Sequence, residues 1–403
     1  MTRSAVQPTR RRLLAAAAVS PWWPAAFAQG ADWPRIERTA RGQTVYFNAW
    51  AGSENINAYV QWAGGEIERR WGVKLEHVKI ADAAEVVQRV RAEKQAGRMA
   101  DGSVDAVWIN GENFLAMKRG GLLFGPFAEG LPAYAMVDTS AKPTTRVDFS
   151  EPVEGLEAPW GMAQLTYYAD GAKVQQPPRS LAELLAFAQK NPGRVTYPKP
   201  PNFHGTTYHK QLLLESAADR KPFYAPVAAE AFGTQSAPLW HTLDAMHPHL
   251  WRQGKQFPAS NTVMRQMLAD GELLMNLTFN PFDAANEIAA KRLPATVVSW
   301  QPSGGSIGNT HFIAIPFNAR AKEGAQVLAN FLLSPQAQAR KADIAVWGDP
   351  TVLAMDRLAP ADRALFTKGV APGAVTQPAP ALPEPHASWV DAIEREWARR
   401  YGQ

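Results

Sequence analysis

Three times in succession from Val45, a short apolar run gives way to a helix-period pattern. Val45–Asn48 reads as a strand, and Ile56, Tyr59, Val60, Ala63 and Ile67 then fall at helical spacing. Val73–Val78 alternates as a second strand. Asp82, with Glu85 three residues on, caps a helix whose apolar side is Val86, Val87 and Val90. "SVDAVWING" is a third strand, and "ENFLAMKRGG" is a short helix stopped by Gly120-Gly121. This strand–helix alternation restricts the chain to an α/β fold with a parallel or mixed sheet covered by helices. In such sheets ligands bind beyond the carboxyl ends of the strands.

The pattern restarts at "PWGMAQLTYYAD" (Pro159–Asp170), an extended segment. Ser180 and Glu183 form a capping box before "LAELLAFAQK", and "RVTYP" reads as a strand. "GTTYHKQLLLES" and "TVMRQMLADG" read as helices, "ELLMNLTF" and "ATVVSW" as strands. "SGGSIGNT" is a glycine-rich connection before the strand "HFIAIPF". In the last helix, Trp389, Ile393, Trp397 and Tyr401 stand four apart, which reads as core packing.

Arg10–Arg12 followed by apolar Leu13–Val19 and Ala26-Phe27-Ala28 has the form of an export signal over residues 1–28. The arginine run and weakly apolar segment point to the twin-arginine route, although Sec signals also carry arginines. The chain carries a formal charge of +5. Four of its arginines and no acids lie in the signal, so the mature chain is near neutral. That removes the electrostatic case for nucleic acid or an anionic membrane. The chain contains no cysteine, so disulfides, thiolate metal sites and a lipid-anchoring cysteine are excluded. The expectation is a soluble periplasmic protein. The 375 residues left after cleavage suit two or three domains.

Candidate ligand-binding residues follow from the strand ends. "NAWAGSEN" offers Trp50 as a π face and Ser53, Glu54 and Asn55 at a helix start. Asn110, Glu112 and Asn113 follow the third strand on the same side of the sheet. Asn202, Phe203 and His204 sit at the tip of the proline-stiffened "YPKPPNFHG". Asn280, Phe282 and Asp283 repeat the strand-to-helix arrangement. Each of these positions also serves as a plain helix cap or packing residue. Trp160 lies in the extended segment. Of Tyr167 and Tyr168, which face opposite ways, Tyr167 is taken as cleft-facing. The pairs His204/His209 and His247/His249 are weak metal motifs. An oxygen-ligand metal cage wants a tighter acidic cluster than any seen here. Rings, amides and carboxylates favour an organic, nitrogen-containing solute.

"VDAVWINGENFLAMKRGGLLFGP" and "APWGMAQLTYYADGAKV" resemble segments of ABC-transporter solute-binding proteins of the family 1 type. "SLAELLAFAQKNPGRVTYPKPPNFHG" and "FNPFDAANEIAAKRLPATVVSWQPSGGSIGNTHFIAIP" are similar to its YnjB-like branch. The resemblance spans the mature chain. It implies the type II periplasmic-binding-protein fold, two α/β lobes with a ligand cleft between them. It also implies delivery of an unaltered small solute to a membrane permease. Two α/β halves joined by several crossings lead to the expectation of a monomer, and no cofactor or nucleic-acid partner is expected. Residues 29–158 would open lobe 1, 159–300 would form mainly lobe 2, and 301–403 would return to lobe 1 and supply the C-terminal helices. Polyamine and thiamine binders of the wider group imply an organic cation, and its ferric binders imply a metal.

An exported enzyme with a distributed active site is the alternative class, and a scaffold with a filled cleft is a third. Gly-x-Ser-x-Gly, His-Glu-x-x-His and Walker motifs are all absent. "SGGSIGN" precedes a strand, where a phosphate loop precedes a helix.

Overall fold

The computed structural model describes residues 1–2, 32–366 and 371–402. The expected export signal lies outside the described residues apart from its first two. Apart from a small antiparallel ribbon of Val147–Asp148 and Glu151–Pro152, the strands among the described residues are β1 Thr44–Trp50, β2 Lys74–Ile80, β3 Ala106–Ile109, β4 Glu157–Gln164, β5 Thr166–Asp170, β6 Asn276–Thr278, β7 Val297–Trp300, β8 Ser306–Ala314 and β9 Ala381–Leu382.

The large sheet has the order β9-β8-β3-β1-β2, with β4 also paired to β8. β1 runs parallel to β2 and β3, in the register Val45↔Leu75 and Phe47↔Ala106. β8 is antiparallel to both β3 and β4. Period-2 alternation puts Val45, Phe47 and Ala49 into the first core. The helix Glu54–Trp71 covers them with Ile56, Tyr59, Val60, Ala63 and Ile67, the five residues its spacing selects. It ends at Gly72, whose φ of +67° suits a residue without a Cβ.

The second sheet is antiparallel, in the order β6-β5-β7. Its core gathers Tyr197, Tyr208, Leu213, Trp240 and Trp300. Trp389, Ile393 and Trp397 of the last helix, Ser388–Tyr401, join this second core. The helices Lys322–Leu332 and Pro335–Ala342 pack on the first.

Two strand pairs carry the chain between the lobes. β4 begins opposite Ala314 in the large sheet, and β5 follows it into the second sheet after Leu165 donates to the Ile307 carbonyl at 2.8 Å. β7 leads back into β8. The glycine-rich "SGGSIGNT" is thus not a free connection. From Ser306 it is ladder, because β4 and β9 bracket it.

"RVTYP" is extended but forms no ladder. Pro198, Pro200 and Pro201 offer no N–H, so the segment is tied only by isolated bonds, such as Trp251 N–H to the Val195 carbonyl at 2.8 Å. The helix Ala229–Met246, absent from the sequence reading, forms around an internal Pro238.

Candidate functional site

A cavity of about 640 Å3 opens between the lobes at the carboxyl ends of β1 and β3. Ten of the expected residues line it: Trp50 and Ser53; Asn110, Glu112 and Asn113; Asn202, Phe203 and His204; Asn280 and Asp283. At the end of β1 the indole of half-buried Trp50 lies against Gly52, where any Cβ would come within 2.2 Å of the ring. Gly52 is therefore what lets Trp50 present a face to the cavity. Ser53 opens its helix without a side-chain bond to it. Asn202 accepts from His204 N–H at 3.1 Å, so it is both cap and cleft wall.

Five expected residues are elsewhere. Glu54 stands at the rim, 85% exposed, and reaches across to Arg292 at 3.3 Å. Asn55 donates to the Val346 carbonyl at 2.7 Å and so ties two parts of the first lobe together. Trp160 is fully buried among Phe47, Tyr59, Trp108 and Trp347, beneath the cavity floor. Tyr167 stacks on Trp300 in the second core. Its neighbour Tyr168, the one taken as core, is also buried but donates to Asp283 Oδ2 at 3.1 Å, one bond behind the cavity. Phe282 packs on Gly348, whose φ of +82° brings the loop against the ring.

The histidine pairs are divided. His209 bonds the Gly205 carbonyl through Nδ1 at 2.6 Å and meets Tyr197 edge-on, while His204 lines the cavity. Burial pushes His204 down to about 4 and His209 to about 3, so both are neutral at pH 7. His247 bonds the Tyr197 hydroxyl at 2.7 Å inside the second core. Among the described residues, no three His, Asp, Glu or Cys side chains converge as a metal set.

Sequence reading missed the charges that complete the site. Lys210, on the helix Phe203–Ser216, is paired with Glu384 at 2.7 Å, each 1% exposed, and sits 4.0 Å above the Phe149 ring. Arg265 lies 3.6 Å from Asp283 and 3.2 Å from Glu287. Lys341 holds Asp349 at 2.7 Å. These three cations are thus paired within the protein, while Lys79, at the end of β2, also lines the cavity and has no ion pair among the described residues.

Among the lining carboxyls, Glu112 and Glu394, together with the exposed Asp82, have no ion pair among the described residues. Burial pushes Glu112 up to about 7, with Lys210 pulling it partly back and Glu394 adding to the rise. Glu394, on the last helix, is likewise raised to about 7 by burial, against a 2.6 Å bond from Thr206 Oγ1. Asp283 is raised to about 6 by burial, against Arg265. Trp108 and Trp347 add indoles to the same cavity. Trp108 was within reach of sequence reasoning, two residues before Asn110 on β3. Glu394 was not: one residue after the core position Ile393, it looks like any solvated helix face.

A model of the bacterial extracellular solute-binding protein family matches residues 62–355. Escherichia coli YnjB is 47% identical over 371 residues, covering 92% of this chain and 94% of YnjB. Among solved structures, the periplasmic binding protein AfuA of Actinobacillus pleuropneumoniae, with fructose-6-phosphate bound, superposes with a TM-score of 0.62. It is 13% identical, over 89% of this chain and 99% of that one. The spermidine/putrescine ABC-transporter substrate-binding protein PotD of Streptococcus pneumoniae has a TM-score of 0.55 at 12% identity, over 89% and 98%. At these identities the structural likeness carries the two-lobed fold and nothing finer.

Proposed function

The chain belongs to the bacterial extracellular solute-binding protein family, whose members are the solute-binding components of ABC transporters and not enzymes, and on that premise we propose that it captures a small organic cation with an apolar or aromatic body. The observation that carries this reading is the unmatched pair Glu112 and Glu394, one from each lobe, in a cavity walled by Trp50 and Trp108. A bound ammonium or iminium group supplies the missing positive charge to both carboxylates, and the indoles supply the cation–π face. One fold serves a spermidine/putrescine binder and a protein crystallised with fructose-6-phosphate, so the charge of the cleft decides between cation and anion here. Delivery to a membrane permease, a periplasmic location reached through the export signal at residues 1–28, and a monomeric state complete the proposal.

Calorimetry with the solute recovered from the native protein tests it. A cation binds the ionised carboxylates, so affinity should rise between pH 6 and pH 8, and Glu112→Gln should weaken binding and blunt that rise. Affinity that falls over the same interval, or is indifferent to Glu112→Gln, would sink the cation reading.

A further inference from the structure

At the floor of the cleft, four features converge on one histidine. His311 lies on β8 where it crosses between the lobes, and its side chain is 11% exposed. Between His311 and Phe312 the pairing with β4 slips: His311 faces Gly161 and Phe312 faces Pro159, leaving Trp160 as the extra residue of a bulge. Bulges free backbone groups from the ladder and re-aim side chains. Here the freed Trp160 carbonyl accepts from buried Lys341 Nζ and from Gln338 Nε2. Lys341 so fixed holds Asp349 at 2.7 Å, and Asp349 Oδ1 lies 3.0 Å from His311 Nε2. Gly161 completes the arrangement. A Cβ there would collide with Asp349 Oδ2 and Lys341 Nζ. The ring is further held between Trp347, stacked at 19°, and Trp108, edge-on at 5.0 Å.

Asp349 is ion-paired with Lys341 through Oδ2, which leaves Oδ1 as the acceptor towards His311, so that bond requires the proton on Nε2. Nδ1 has no hydrogen-bond partner among the described residues and belongs to a side chain lining the cavity. We propose that His311 is a specificity-determining residue whose Nδ1 lone pair accepts an N–H or O–H of the solute, with Gly161, Lys341 and Asp349 as positioning residues that fix its tautomer. The solute then carries a donor as well as its charge. This deepens the cation reading and rests on the same cleft, but on different atoms. An analogue bearing an ether or methylated nitrogen at that point is rejected, because it leaves a buried acceptor opposite another acceptor.

Protein with isotope-labelled histidine nitrogens, His311 being assigned by its loss in His311→Gln, gives the test. The ring is expected to be singly protonated on Nε2 in the ligand-free protein; a proton on Nδ1 overturns the proposal. The probe is the solute fraction released by unfolding protein purified from its own periplasm. At saturation it should move the Nδ1 resonance, and His311→Gln should bind about tenfold more weakly, the scale of one hydrogen bond. Binding heat without an Nδ1 shift overturns the proposal and leaves the cation reading standing. An Nδ1 shift with full affinity in Glu112→Gln does the reverse. Gly161→Ala should mix the tautomers and lower affinity. Unchanged tautomer and affinity in that variant would remove the positioning role.

Discussion

The side chain of Trp50 owes its position to the absence of another, at Gly52. Because the indole is only half-buried, Trp50→Ala should weaken solute binding by roughly 1–3 kcal/mol, the scale of lost ring burial and cation–π contact. Ligand-free stability should change little. A Trp397→Ala substitution is the contrast: that ring is 1% exposed within the second core, and its loss should cost about 3–5 kcal/mol of stability with no direct effect on the cleft. Urea unfolding beside calorimetric titration reads both. If Trp50→Ala instead unfolded like Trp397→Ala with affinity intact, the segment "NAWAGSEN" would be core and not cleft wall.

At the scale of elements, the helix Glu112–Arg119 and the last helix each bring a raised carboxyl to the cleft. Glu112 and Glu394 titrate near 7 when folded and near the ordinary glutamate value when unfolded. The folded state therefore holds more protons between about pH 4.5 and 7. Stability from these groups is full below that interval and is lost as pH rises through it. Urea midpoints of ligand-free protein should fall from pH 5 to pH 8, and Glu112→Gln should flatten the fall. A rising midpoint would mean that these carboxyls have cation partners in the fold. The helices themselves were legible because burial obeys a 3.6 period: Ile56 to Ile67 were read directly from spacing. The site was legible where a strand end announced it, at Trp50, Asn110 and Asn280, and at the proline-stiffened turn carrying Asn202, Phe203 and His204. Tyr167 and Trp160 misled because a tyrosine or tryptophan in a crossing strand looks the same whether it faces a cavity or a core. Lys210–Glu384 and His311–Asp349 join residues 174 and 38 positions apart, and no local pattern encodes such a pair.

In the whole molecule, the two lobes meet across the cleft mouth as well as through the crossing strands. Asn280 and Asn286 both donate to the Trp347 carbonyl, at 3.3 and 2.8 Å, and Arg292 reaches Glu54. Trp347 also lines the cavity, so cavity wall and lobe contact share one loop. Removing the clasp with Asn286→Ala and Arg292→Ala should enlarge the radius of gyration seen by small-angle scattering and lower affinity. An unchanged radius would mean that the crossing strands alone set the interlobe angle. The cargo proposed for the cleft is an intact organic cation. Native mass spectrometry of protein purified from its own periplasm, followed by identification of what unfolding releases, addresses it most directly. One organic, positively charged solute per chain is expected, recovered chemically unaltered and bearing an N–H or O–H donor. A released anion, a bare metal ion or a chemically altered solute would contradict it.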